Sequence, residues 1–252
     1  MNRRYVAVGA LPIIAGLGIA MAVPAQASAS HDRTPAARNA AKLKAHVGGA
    51  SSYYGSCNLV APTTARVIKG NSSLPVSVTG GCALHPMDFA VWELSGAVQD
   101  SEVAFDTVFF IGSYRTTWDT SNLSPLGTRA WVGYGAADTN DHEYSQNAPK
   151  TTTKVGSWAG LQTKRSGNKI TLDSRAVRFA TSLDYNIPWA GQGATIQYRT
   201  VGSSIWTNLK LATTDSRGAI SYSYTTTATR DYRVIYNEAA YIWGATSPTS
   251  RR

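Results

Sequence analysis

The sequence predicts an exported, all-β protein with two β-sandwich domains in tandem. Three observations support this: an apolar leader, short strand-like segments separated by turns along the rest of the chain, and one pair of cysteines in the first half. Short strands at regular spacing are typical of sandwiches and differ from the pattern of folds that alternate strands with helices.

The first 29 residues have the layout of a secretory signal peptide. A short basic start, Asn2-Arg3-Arg4, precedes an apolar, uncharged stretch at 5–23, and small-x-small cleavage signals follow at 25–27 and 27–29. A retained anchor is the alternative, but the stretch is near the lower limit for spanning a bilayer and contains Pro12. We therefore expect a secreted, extracellular protein, cleaved after Ala27 or Ala29, with no membrane attachment afterwards.

Cleavage would leave enough chain for two domains of about 100 residues each. Residues 30–52 are rich in Ala, Ser, Arg and Lys and lack a strand pattern, so we expect a flexible tether. The predicted organisation continues with a first sandwich at 53–150, a polar linker at 151–167 and a second sandwich at 168–252.

The charge pattern argues against nucleic acid as a partner. The formal charge is +9, or +7 without Arg3 and Arg4, and charged residues make up 15% of the chain, below the roughly 25% that is usual. Beyond the leader, the only adjacent basic pairs are Lys164-Arg165 and Arg251-Arg252, so no nucleic-acid stripe is visible. The simpler interpretation is a mildly basic surface with no particular partner. The more specific interpretation is adhesion to an anionic polymer.

The two cysteines, Cys57 and Cys82, are expected to form one disulfide, because the compartment would be oxidising. A closed loop of about 25 residues is worth roughly 3 kcal/mol on the chain-entropy model. A metal pair, or a catalytic thiol with His85 as its base, is the alternative.

Strand-like runs with turn signals between them occur in both halves. In the first half they are Arg66–Ile68, Leu74–Val78, Phe89–Leu94, Val103–Phe105, Val108–Ile111 and Arg129–Tyr134. In the second half they are Lys169–Leu172, Ala176–Phe179, Ala194–Arg199, Ser203–Trp206, Ile220–Tyr224, Tyr232–Tyr236 and Ala240–Gly244. Phe89–Leu94 is apolar on both sides, as in a central buried strand, whereas Ala194–Arg199 alternates with period two.

The second half contains, in order, the segments Thr195–Arg199, Gly202–Trp206, Thr214-Asp215, Gly218 and Asp231–Val234. Through them it resembles the immunoglobulin-like or fibronectin-III-like repeats of secreted actinobacterial proteins, and the resemblance spans 168–250, about a third of the chain. It implies an immunoglobulin-like sandwich in which Tyr232, two residues before Val234, is the corner tyrosine. The first half resembles the same class more loosely, with Leu123–Trp131 in the place of Thr227–Tyr232. Such domains serve as spacers, adhesins and accessory modules.

Two polar groups could carry chemistry. His85 could pair with Asp88 and a nucleophile such as Ser95, but no Gly-x-Ser-x-Gly elbow is present, and we expect no catalytic residues. The loop Asp138–Glu143 could supply oxygen ligands to Ca²⁺ but lacks the glycine and distal Glu of an EF-hand loop. We therefore predict neither a metal nor a cofactor and interpret the loop as a solvated hairpin.

Seven tryptophans leave open a glycan site, because exposed aromatic faces stack on sugar rings. Trp92, Trp131 and Trp206 lie in strand patterns and are expected in the cores. Trp118, Trp158 and Trp243 lie in turn-like or terminal segments and are the ligand-binding candidates. The predicted function is a non-enzymatic binding or structural module at the cell surface or in the medium, with an unknown protein partner. A carbohydrate- or wall-polymer-binding protein is the first alternative, and a small secreted hydrolase is the second.

Overall fold

The computed structural model describes residues 53–96, 102–106 and 115–252, with the backbone alone for 102–106. All of these residues belong to one compact unit. The predicted leader, the tether and the strand at Val108–Ile111 lie outside the described residues. Within the described ranges, no helix has the length and apolar character needed to cross a membrane.

The first half consists of nine described strands and one 3-10 turn at Gly81–Ala83. The strands are β1 Gly55–Val60, β2 Thr64–Val67, β3 Asn71–Gly80, β4 Met87–Leu94, β5 Glu102–Asp106, β6 Arg115–Ser121, β7 Gly127–Asp138, β8 Tyr144–Gln146 and β9 Lys150–Val155. They form two sheets, in the orders β6-β3-β1-β8 and β2-β9-β7-β4-β5. The first two strands belong to different sheets: β1 pairs antiparallel with β3, and β2 pairs parallel with β9 in the other sheet.

The first core lies between these two sheets. Val76 and Val78 of β3 point inward with period two, while most of β4 is buried on both faces. Trp92 and Trp131 are fully buried, which confirms their predicted place in the core. Their indole N–H groups donate to the Asn147 carbonyl and the Thr151 hydroxyl, at 3.0 and 2.9 Å, so burial leaves neither donor unpaired.

The predicted disulfide is confirmed. Cys57 of β1 is bonded to Cys82 of the turn that follows β3, with an S–S distance of 2.08 Å, and both residues are fully buried. The bridge joins neighbouring segments of one sheet, because β1 pairs with β3 from Cys57 opposite Gly80 onward. It therefore differs from the inter-sheet disulfide of antibody domains.

The second half forms another sandwich of two sheets. Its strands are β10 Ser157–Ser166, β11 Lys169–Ala180, β12 Tyr185–Pro188, β13 Gly193–Thr200, β14 Thr207–Thr213, β15 Ala219–Thr225, β16 Arg230–Tyr236, β17 Ala245–Thr246 and β18 Ser250–Arg251. In one sheet β11 is central: β10 pairs with one edge of it, and β12 and β15 pair with different parts of the other edge. The other sheet has the order β14-β13-β16, and β17 and β18 pair with the far side of β16. The described chain is thus an all-β, immunoglobulin-like sandwich protein, as predicted.

Period-two alternation builds the second core. Ala194 and Ile196 of β13 face Val234 and Tyr236 of β16 within one buried cluster. Tyr232, the expected corner tyrosine, is fully buried. Its hydroxyl hydrogen-bonds to that of Tyr224 at 2.6 Å, so it ties β16 to β15 through a side chain. Burial first, and then this hydrogen bond, raises the pKa of Tyr232 above its usual value.

The structure corrects the expected linker at 151–167. β9 and β10 occupy nearly all of that interval, and only Gly156 separates them. The sequence looked like a linker because β9 buries threonines: Thr151 and Thr153 point inward, and the Thr151 hydroxyl donates to the Pro62 carbonyl at 2.7 Å. Thr151 thus shows that a hydrogen-bonded polar residue can fill an inward strand position, whereas the buried Thr153 hydroxyl has no hydrogen-bond partner among the described residues.

The two sandwiches meet in a buried joint around Gly156. Val67, Val155 and Phe179 form its apolar cluster. The Gly156 amide donates to the Val67 carbonyl and the Phe179 amide donates to the Gly156 carbonyl, both at 2.8 Å. A Cβ on Gly156 would lie 2.5 Å from a methyl of Ile68, so a larger residue would require Ile68 or the backbone beside it to shift. This arrangement leaves no flexible segment between β9 and β10.

Candidate functional site

Trp118 was predicted to be exposed and able to bind a ligand, and the structure shows that this is wrong. It is 0% exposed and packs edge-to-face on Trp131, with ring centroids 5.2 Å apart. The segment that resembled a turn is strand β6, in which Trp118 and Thr120 take the inward positions. Trp118 therefore belongs to the first core.

The other two candidate tryptophans differ in environment. Trp243 is half-buried at the joint, where its indole N–H donates to the Ala65 carbonyl at 2.9 Å and the Lys154 ammonium lies 5.3 Å from its ring. Trp158 is 36% exposed on β10, opposite Val177 of β11, which in turn lies opposite Pro188 of β12. Of the three, only Trp158 retains an appreciable exposed surface on the outside of a sheet.

Trp206 was expected in the core, and it lies instead outside the second core, on the outer face of the sheet formed by β13 and β16. The Arg199 and Arg233 guanidiniums lie 4.7 and 4.1 Å from its ring centroid. Both guanidiniums are therefore within cation–π distance of the same indole. We call Arg199, Trp206 and Arg233 the arginine ladder. Cation–π contacts of this kind hold guanidiniums in place.

The strand register explains why these residues meet. Arg199 of β13 is directly opposite Asp231 of β16, and Arg233 is opposite Gln197 one step further along the same outer face. Their partners follow from this: Arg199 Nε donates to Asp231 at 3.1 Å, and Arg233 Nε donates to Gln197 at 2.8 Å. Period-two alternation places Ile196 and Tyr198 inward, which directs Gln197 and Arg199 outward.

Asp231 is the only carboxylate among the outward-facing side chains at this end of β13 and β16. Its side chain is 2% exposed and also accepts a hydrogen bond from Arg251 Nε of β18 at 2.7 Å. The Arg251 hydrogen bond, ahead of that from Arg199, lowers the pKa of Asp231 against the opposing effect of burial. The carboxylate is therefore ionised and shared by Arg199 and Arg251. With Arg233 beside them, three positive charges lie next to one negative charge.

Charge is unevenly divided along the chain. Residues 157–252 contain twelve Lys and Arg against five Asp and Glu, a formal charge of +7, whereas 53–156 contain six against nine, a formal charge of −3. Within the second sandwich, arginines concentrate at the end with the turns after β10, β13 and β15, which we call the basic end. Six arginines lie at or near it: Arg165, Arg199, Arg230, Arg233, Arg251 and Arg252.

The fold separates the residues proposed for a hydrolase. Asp88 is near the start of β4 and Ser95 follows its end. At about 3.4 Å per residue, seven residues of strand hold them roughly 24 Å apart. His85 lies beside the Tyr54 ring, at 5.8 Å between centroids. No triad of His85, Asp88 and Ser95 can form in this arrangement.

In the loop 138–143, the Asp138 carboxylate is already occupied by protein donors. Asp138 is buried and accepts hydrogen bonds from the backbone amides of Asn140 and His142, the His142 ring and the Tyr144 hydroxyl, at 2.9–3.1 Å. Burial alone would raise the pKa of Asp138, but these donors outweigh it and lower the pKa to about 2. The same donors occupy the oxygens that Ca²⁺ would need. Among the described residues, no three His, Cys, Asp or Glu side chains are grouped to hold a metal.

The buried Asp138 carboxylate is expected to make the unfolding free energy depend on pH. Because the folded-state pKa of Asp138, about 2, lies below its ordinary 3.8, the carboxylate stabilises the fold above about pH 4, and this contribution disappears as the pH falls toward 2. We expect Asp138→Asn to lower the unfolding free energy near neutral pH and to converge on the wild type in acid. Urea unfolding between about pH 6 and pH 2 measures this. Asp141→Asn, an exposed change in the same loop, is the matched control, and a pH-independent Asp138→Asn effect would contradict the expectation.

Comparison with known proteins identifies no family. No family model matches the sequence, and no curated protein matches it. The solved structures to which the chain has some similarity include the following three. The human OSCAR ligand-binding domain is 10% identical, with 79% of this chain and 99% of that chain covered and a TM-score of 0.27. Bovine butyrophilin is 10% identical, with 78% and 98% covered and a TM-score of 0.32. The D0-D1 domain of intimin is 13% identical, with 78% and 98% covered and a TM-score of 0.25. At these values the likeness carries no argument about function.

Proposed function

We propose that this protein is a non-enzymatic, immunoglobulin-like binding module of bacterial origin that is exported and acts at a cell surface or in the medium. The leader, the Cys57–Cys82 disulfide and the low charged fraction support export. The arginine ladder is the single observation that supports binding, because the second core is complete without it.

The ladder is preorganised, as a binding surface should be. Stacking on Trp206 and the bonds made by each Nε group restrain the two guanidiniums before any partner arrives. Their conformational entropy is then already reduced, so less is lost when a ligand binds. Side chains that serve only solubility have no need of this arrangement.

A retention assay tests the proposed function. The secreted, full-length mature protein is incubated with cell envelopes of the producing organism and with insoluble polysaccharides, in low and in high salt. We expect it to sediment with the envelopes in low salt. Failure to sediment with any envelope or polymer would overturn the proposal of a binding module.

A second candidate, glycan binding by aromatic stacking, is favoured by the partly exposed row Trp158, Val177 and Pro188. Stacking on sugar resists salt, whereas charge pairing is screened. We would compare Trp158→Ala with Tyr241→Ala, an exposed aromatic control, for retention on peptidoglycan, chitin and cellulose in high salt. A loss confined to Trp158→Ala supports this second site, and salt-resistant binding unchanged by Trp158→Ala would contradict it.

A further inference from the structure

We infer that the basic end of the second sandwich binds an acidic polymer whose saccharide or polyol backbone carries repeated phosphate or carboxylate groups. The inference rests on the proposed binding function and specifies its ligand class and its site. Its basis is the uneven placement of charge within one sandwich, together with a set of guanidiniums whose positions are restrained.

The acidic residues of the second sandwich lie mostly away from the basic end. Asp184, Asp215 and Glu238 are in the turns toward the joint, and Asp173 is in mid-strand, hydrogen-bonded by the Ser221 hydroxyl. Asp231 is then the only acidic side chain at the basic end, which also carries the six arginines and two lysines, Lys164 and Lys169. Such an excess of one sign concentrates polyanions at a surface.

The basic end is held together by its own backbone and side-chain contacts. Arg230 and Arg252 exchange both backbone hydrogen bonds, at 2.7 and 3.0 Å. The Arg165 guanidinium donates to the carbonyls of Thr226 and Ala228, and that of Arg230 lies 4.0 Å from the Tyr198 ring centroid. These contacts fix the turns on which the charges are carried, so the positive surface belongs to an ordered part of the fold.

The ladder offers donors suited to oxyanions. In the described part of the chain, the Arg199 and Arg233 side chains donate hydrogen bonds from Nε, which leaves their Nη groups to donate to a ligand. Arg251, whose side chain is 60% exposed, lies beside them across Asp231. Guanidiniums bind phosphate and carboxylate oxygens through paired N–H donors. Three arginines one or two strand positions apart would meet successive charges of a flexible polymer.

The same geometry disfavours nucleic acid. Proteins bind single strands by stacking bases on aromatic rings over a basic groove. The indole of Trp206 is already engaged by two guanidiniums, which compete with a base for its ring. The ladder therefore recognises charge and hydrogen-bond geometry without base stacking, as suits an acidic glycan or a polyol phosphate.

Binding of the full mature chain to two soluble probes tests this inference: a glycerol-phosphate polymer and polygalacturonate, with neutral dextran as a blank. We expect Arg199→Ala/Arg233→Ala to weaken binding at low salt at least tenfold. Arg175→Ala/Arg217→Ala removes the same charge from the opposite end of the sandwich and should change affinity less than about twofold. Arg233→Gln, which leaves both Asp231 partners in place, keeps the test valid if the double variant is unstable.

Each outcome is decisive. Preference for one probe identifies phosphate or carboxylate as the recognised group, and either result supports the inference. Equal losses in the two double variants, no binding to either probe, or tighter binding to single-stranded DNA of equal charge would overturn it. Normal retention of Arg199→Ala/Arg233→Ala on cell envelopes would refute this site but leave the proposed binding function intact, so the two failures are distinguishable.

Discussion

Replacing Trp131 with alanine is expected to cost the first sandwich about 3–5 kcal/mol of unfolding free energy, the range for large aromatic truncations in a core. Trp131 is fully buried on β7 and packs edge-to-face on Trp118. Its removal opens a cavity between the two sheets, which the rigid strands cannot refill. A loss of this size is a large part of the 5–15 kcal/mol that stabilises a typical domain.

Trp131→Phe separates packing from hydrogen bonding. The phenyl ring retains much of the volume but no longer donates to the Thr151 hydroxyl, which keeps its own bond to the Pro62 carbonyl. We expect a smaller loss, about 1–2 kcal/mol, because no buried donor is left unpaired. Urea unfolding followed by far-ultraviolet circular dichroism compares both variants with Trp158→Ala. If Trp131→Ala were no worse than that partly exposed control, the assignment of Trp131 to the core would be refuted.

The sequence predicted the fold class where alternation was clean and the turns were distinct. Ile196 and Val234 were recognisable as inward residues, because apolar and polar positions alternate along β13 and β16. The disulfide was equally accessible, since two cysteines in an exported chain have few other uses. Fold class therefore follows from local patterns, which need no knowledge of partner strands.

The linker was the main error in the chain organisation, and its cause lies in β9. Thr151 and Thr153 occupy two of its three inward positions, so Val155 is the only apolar residue that marks the buried face. Thr151 is acceptable there because its hydroxyl both accepts from Trp131 and donates to Pro62. That network joins distant segments of the chain, and a local pattern cannot reveal it.

The arginine ladder was equally hidden, and for a similar reason. Arg199 and Arg233 are 34 positions apart and become diagonal neighbours only through the register of β13 with β16. Trp206, just before β14, resembled a core residue because large aromatics usually are. The outward position of Arg199 could have been inferred from Ile196 and Tyr198, but its partners could not. Tertiary pairing therefore determines the candidate site.

A substitution in the joint between the sandwiches is expected to have the second large effect on stability. Phe179 of β11 is 1% exposed. It packs with Val67 at the end of β2 and Val155 at the end of β9, the two paired strands that end beside Gly156. We expect Phe179→Ala to cost about 3–5 kcal/mol, and to divide one calorimetric transition into two. The wild type should unfold in a single step, because unfolding of either sandwich exposes the apolar joint of the other.

Leu183→Ala is the matched control, since Leu183 follows Phe179 by four residues and is 50% exposed. A surface change of this kind should stay within about 0.5 kcal/mol and leave one transition. Two transitions in the wild type would show that the joint does not couple the sandwiches, and a single transition in Phe179→Ala would show that Phe179 is not the residue that couples them. Coupling is the physical expectation, because β9 leads into β10 through Gly156 alone, and the Gly156 backbone is hydrogen-bonded to residues of both halves. A chain with these contacts has no segment in which one sandwich can loosen without disturbing its neighbour.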